Sequence, residues 1–118
     1  MSYNIAKGKE GEYIARKYLT SKGYLMLESN YRNKIGEIDL IAFDKDILVF
    51  IEVKTRTSTD YGYAFEAVDY RKQRKIINTS LVYIKYKKYI DTQIRYDIIE
   101  IYLTDKAKIN HLENAFCL

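Results

Sequence analysis

The sequence predicts an α/β domain in the order helix, three strands, helix, strand, with a mixed sheet of four strands. Apolar residues follow helical spacing in two separate stretches, a period of two fills the span between them, and one more β-rich run follows the second helix. The 118 residues suit one domain (1–118, core about 7–103), and no repeat, low-complexity segment or Gly/Ser linker divides them.

The first helix is expected over residues 7–22, where Ile14, Ala15, Tyr18 and Leu19 fall on one face and Gly23 follows as a C-cap. Residues 24–29 read as a strand, followed by a polar bend at 30–34. Residues 37–41 alternate cleanly as a second strand, and Asp44-Lys45-Asp46 suits a hairpin turn. Residues 47–55 form the third strand, whose Ile47-Leu48-Val49-Phe50-Ile51 run calls for burial on both faces. A polar loop over 56–62 leads to a helix from about Phe65, with Ile76, Ile77, Ser80, Leu81 and Ile84 on one face. The last strand is expected over 93–103. Three consecutive strands favour an antiparallel meander, and the second helix can carry the chain over to one parallel pairing. Residues 104–118 fit a short helix, a frayed tail or a partner-binding segment equally well.

Composition narrows the function. The apolar run 47–51 is far short of the roughly 20 residues a membrane helix needs, and the first residues lack the apolar region of a secretory signal, so a cytoplasmic protein is expected. Cys117 is the only cysteine and His111 the only histidine, which excludes an internal disulfide and a Cys-rich zinc site. Any chemistry falls to carboxylates, lysine, arginine or a hard metal ion. The 13 tyrosines, with no Trp or Pro, fit the codon bias of an AT-rich genome and carry no functional weight.

Glu37 and Asp39 share one face of the second strand, and Glu52 and Lys54 one face of the third. These strands are expected to be neighbours about 4.8 Å apart. Carboxylates gathered there would repel by about 4 kcal/mol at 4 Å and an effective dielectric near 20. A divalent cation would relieve this, and Mg²⁺ often takes only one or two protein carboxylates. A solvated strand edge gives the same spacing. Thr55-Arg56-Thr57-Ser58-Thr59 follows with hydroxyls and a guanidinium suited to phosphate oxygens. Residues 71–90 hold seven cations and no acid, so the rest of this +4 chain is net −3. That polarity suits an anionic polymer held near a metal, although a solvated helix face accounts for any single lysine.

Gly36-Glu37-Ile38-Asp39-Leu40-Ile41-Ala42 and Phe50-Ile51-Glu52-Val53-Lys54-Thr55-Arg56 together resemble the signature of the YraN-like family of bacterial proteins. That family is grouped with Holliday-junction resolvase-like and restriction-endonuclease-like nucleases. The agreement continues in Gly8, Gly11-Glu12 and Ala15, Gly23-Tyr24, Asn30-Tyr31-Arg32, Tyr61-Gly62, Val68, Lys72, Lys75-Ile76 and Arg95-Tyr96-Asp97, spanning roughly residues 8–103.

The resemblance implies a restriction-endonuclease-like αβββαβ core, a mixed four-stranded sheet with helices on both sides. It also implies a P-D…(D/E)-x-K nuclease site. Asp39 takes the place of the first acid, Glu52 the second and Lys54 the lysine, with Ile38 where the proline would stand. Glu12 matches the helical glutamate that some resolvase-like members add to the metal shell. The expected activity is hydrolysis of phosphodiester bonds in DNA, rather than RNA, with Mg²⁺ or Mn²⁺ held by Asp39, Glu52 and Glu12. Lys54 would orient the attacking water or stabilise the transition state. Glu37 would orient Asp39, orient a metal-bound water or make a structural hydrogen bond, with Thr55 supporting. Arg56, Lys72 and Arg95 are the candidate phosphate contacts. The alternatives are a non-catalytic nucleic-acid-binding protein on the same fold and an adaptor that docks a protein through its tail. A homodimer is expected only from relatives that cut symmetric junctions, and no membrane partner is expected.

Overall fold

A computed structural model describes residues 3–57, 68–103 and 108–118. The chain runs α1 (Tyr3–Ser21), β1 (Leu25–Arg32), β2 (Glu37–Asp44), β3 (Ile47–Arg56), α2 (Tyr70–Lys87), β4 (Gln93–Tyr102) and β5 (Lys108–Phe116). The strands form one sheet in sequence order, with β3 at its centre. β1–β2, β2–β3 and β4–β5 are antiparallel and β3–β4 is parallel, because α2 returns the chain to the edge from which β3 began.

Each helix covers one face. Ala15 and Leu19 of α1 pack with Leu40, Val49, Ile51 and Ile99. Ile76, Ile77 and Tyr83 of α2 pack with Ile41, Leu48, Phe50 and Ile98. β3 therefore has apolar side chains on both sides, as its unbroken run predicts. Gly23 ends α1 at φ 91°, with Tyr24 N–H on the Leu19 carbonyl and Gly23 N–H on the Thr20 carbonyl, the paired bonds of a Schellman cap. Lys45, at φ 56°, turns β2 into β3 at the expected hairpin.

Some expectations need correction. The sheet has five strands, not four, and most of the ambiguous tail is the edge strand β5. Polar residues hide its pattern, because they answer buried acids of β4 one by one. Asn110 donates to Glu100, His111 meets Asp97, and Asn114 N–H donates to Asp97. β1 also runs through the expected bend to Arg32, with Asn30 absorbing the distortion at φ 54°. α2 begins at Tyr70, because the Asp69 carboxylate accepts the Lys72 N–H and caps it. Its inner face carries Thr79 and Tyr83, while Leu81 is exposed. Expectations for residues 58–67, including Ser58, Thr59, Tyr61-Gly62 and Phe65, and for 104–107 lie outside the described residues. Among the described residues no helix is long and apolar enough to cross a membrane.

Candidate active site

The sheet forks where the sequence places its acids. The β2–β3 ladder runs from Asp44↔Ile47 to Leu40↔Ile51 and stops there. Beyond that point β2 stays paired to β1 as far as Glu37, and β3 stays paired to β4 as far as Arg56. One further step of the register would set Asp39 against Glu52. Instead, Asp39 Oδ2 accepts the Val53 N–H at 2.8 Å, so a side chain takes over a bond that the partner strand no longer supplies.

Asp39 and Glu52 meet in this fork. Burial pushes the Asp39 carboxyl up, the Glu52 charge and a hydrogen bond with Glu52 push further, and Glu12 adds a smaller effect. The Val53 N–H opposes them, and the Asp39 pKa rises from 3.8 to about 8. Glu52 itself is only 6% exposed. Its Oε2 lies 2.5 Å from Lys72 Nζ, which reaches over from the first turn of α2. Burial works against the Lys72 charge, but the hydrogen bond and charge of Glu52, joined by Asp39 and Glu37, raise its pKa. At neutral pH the surplus negative charge is therefore answered by a proton on Asp39 and an ammonium on Glu52.

Glu12 acts on Asp39 only through its charge, and its neighbour makes a close helix–strand approach. Gly11 lies so close to Thr55 of β3 that a Cβ would collide with the threonine hydroxyl, so only glycine lets α1 press down here. Thr55 is placed here as a packing contact of α1. Lys54 lies two residues beyond Glu52 on the same face of β3, half-buried and with no ion pair among the described residues. Glu37 turns outward to Arg32 at 2.7 Å, an exposed pair, and has no hydrogen bond to Asp39.

The three candidate phosphate contacts are each engaged within the protein. Lys72 holds Glu52, as above. Arg56 Nε donates to Glu100, which is 1% exposed, at 2.6 Å. Arg95 lies opposite Val49, five residues back from the Lys54 position, about 16 Å along the strand. There it is pinned by Asp97 and Asp44 and donates to the Tyr24 hydroxyl. The structure does not group Arg95 with Asp39 and Glu52. Sequence reading missed that network, whose only signal was charge interrupting an otherwise apolar strand β4.

A hard divalent cation suits the donors present, since Asp39 and Glu52 offer only oxygen and Mg²⁺ needs few protein ligands. Among the described residues no group of three or more Asp, Glu, His or Cys side chains is placed to hold a metal ion. What the fold brings together is the pair Asp39 and Glu52, with Glu12 within electrostatic reach of Asp39.

The family model of uncharacterised protein family UPF0102 matches residues 11–101, which include Glu12, Asp39, Glu52 and Lys54. The chain belongs to this family. A UPF0102 protein of Caldanaerobacter subterraneus subsp. tengcongensis is 51% identical over 113 residues, covering 92% of this chain and 93% of its own. One from Clostridioides difficile is 49% identical over 96% of this chain and 98% of its own. One from Persephonella marina is 46% identical over 98% and 97%. The YraN-like resemblance read from the two central motifs therefore holds over nearly the whole UPF0102 chain.

Proposed function

We propose that this UPF0102 protein is a divalent-metal-dependent phosphodiesterase that cleaves DNA on a restriction-endonuclease-like core. The observation that carries this reading is the meeting of Asp39 and Glu52 in the fork between β2 and β3. A half-buried acid against a buried one is costly and repels a polyanion, so the pair is useful beside DNA only with a cation between them. The element order through β4, with one helix on each face, supports the same core.

Mg²⁺ or Mn²⁺, when bound, polarises a phosphoryl oxygen and lowers the pKa of water. Asp39 and Glu52 would hold it, with Glu12 contributing from α1 through its charge on Asp39. The Val53 N–H fixes the orientation of Asp39. Lys54, on the Glu52 face, orients the attacking water or offsets charge growing on the phosphate. Glu37 acts at one remove, through its charge on Lys72.

A Mg²⁺/Mn²⁺ assay on single-stranded, duplex, flap and four-way DNA tests this, with Lys54→Ala alongside. Metal-dependent product from the wild type, reduced by about a hundredfold or more in Lys54→Ala, supports hydrolysis. The second reading, a non-catalytic nucleic-acid-binding protein, is favoured by the Lys72–Glu52 pair, with which the chain neutralises one acid itself. DNA binding indifferent to EDTA, without product from any substrate, supports that reading and overturns the first.

A further inference from the structure

We propose that the cleft between the β1–β2 turn and the N-terminal half of α2 is the channel in which the phosphodiester backbone of a nucleic-acid strand lies. The inference rests on the functional reading above and names where its substrate docks. The cleft encloses about 590 Å³. Arg32 and Lys34 stand on one wall, and Arg71, Lys72 and Lys75 on the other. All five are exposed.

The walls are held apart at a fixed width. Asn33 Nδ2 donates to the Thr79 carbonyl of α2 and to the Tyr31 hydroxyl, while Asn33 Oδ1 accepts the Ile35 and Gly36 N–H groups. One side chain thus folds the turn and ties it to the helix, so the cationic groups are organised in advance of any partner.

The charge in this cleft is not balanced from within. Its lining includes two acids, but Glu37 is paired with Arg32, and Asp69 caps α2. Lys34, Arg71 and Lys75 have no ion-pair partner among the described residues. A merely solvated face gains from interspersed acids, whereas three unanswered cations across a channel suit successive phosphates, each neutralised with release of counterions. The channel also leads somewhere. Lys72 both lines it and holds Glu52, so a strand lying in it passes beside the Asp39–Glu52 fork. A second hollow, about 530 Å³ between α1 and β1 with Arg16 and Lys17, includes none of these groups and serves as a control surface.

The test is fluorescence anisotropy with a labelled DNA oligonucleotide, as single strand and as duplex, in EDTA across a salt series. Arg71→Glu/Lys34→Glu is compared with Arg16→Glu/Lys17→Glu, which changes charge equally on the control surface. Lys34→Ala/Lys75→Ala is the milder cleft variant, and thermal melting checks folding of each. The expected result is more than about tenfold weaker binding for the cleft variants, with a salt slope lower by about 1.5 for the alanine pair, and less than about twofold change for the control. Equal losses from both surfaces, or no loss from the cleft variants, overturn the proposal. Parallel Mn²⁺ cleavage separates the two claims. Product whose KM ignores the cleft variants removes the channel and leaves the hydrolase, whereas cleft-dependent binding without product removes the hydrolase and leaves the channel.

Discussion

Lys72 Nζ lies 2.5 Å from Glu52 Oε2, so the first turn of α2 is tied by one ion pair to the central strand of the sheet. The ammonium takes a position where it competes with any cation that Glu52 would bind. Two unit charges 4 Å apart interact by about 4 kcal/mol at an effective dielectric near 20, and part of that is released when the ammonium is removed. Lys72→Met is therefore expected to tighten Mn²⁺ binding by about tenfold without nucleic acid, measured by calorimetry. Unchanged or weaker binding would show that the pair does not compete with metal.

With Asp39 as a ligand of the proposed metal, Mn²⁺ binding and stability are expected to respond to pH in opposite directions. Its folded pKa of about 8 exceeds its ordinary value of 3.8. Between those values the native chain keeps a proton that the unfolded chain has released, so stability falls as pH rises from about 4 to 8. Mn²⁺ must displace this proton, so its affinity climbs over the same range and levels off above about pH 8. Asp39→Asn keeps an acceptor for the Val53 N–H and removes the titration. Its melting midpoint in EDTA is expected to exceed that of the wild type by more than about 5 °C at pH 8, with the gain shrinking towards pH 4.

The Asp97 network should respond to pH in the reverse sense. Asp97 is fully buried, yet bonds from His111, Arg95 and the Asn114 N–H outweigh that burial and hold its carboxyl below the usual range. Its contribution is complete above the unfolded pKa of about 3.9 and is lost as pH falls through the lower folded value. Asp97→Ala leaves Arg95 without its main partner and should cost about 3–5 kcal/mol in urea unfolding near neutral pH. Loss of DNA binding in a folded His111 or Asp97 variant would instead draw Arg95 back towards a role with phosphate.

Gly11 sets the approach of α1 to β3. Gly11→Ala drives a methyl group into Thr55 and should destabilise the chain by about 1–3 kcal/mol, despite the better helix propensity of alanine. Thr55→Ala in the same chain should recover most of this loss. Additive losses in the double variant would rule out the contact as the cause.

The parts of the site that were legible in sequence are those set by strand periodicity. Asp39 and Glu52 fall on neighbouring strands, and alternation alone puts Lys54 beside Glu52. The fork was not legible, because nothing in Leu40 or Ile51 says that the ladder stops there. Nor was Lys72, whose reach to Glu52 depends on where Asp69 starts α2. β5 escaped because Asn110, His111 and Asn114 look like surface residues until their partners Glu100 and Asp97 are known to be buried. Arg95 was read by its charge, and only the β3–β4 register reveals that it sits among acids of its own.

The central claim is that Asp39 and Glu52 act together as ligands of one hard cation. Mn²⁺ titration at pH 8, followed by electron paramagnetic resonance on the wild type, Asp39→Asn and Glu52→Gln, tests it most directly. One Mn²⁺ per wild-type chain is expected, with affinity reduced by about tenfold or more in each variant. Mn²⁺ bound as tightly by both variants, or not bound by the wild type at all, would contradict it.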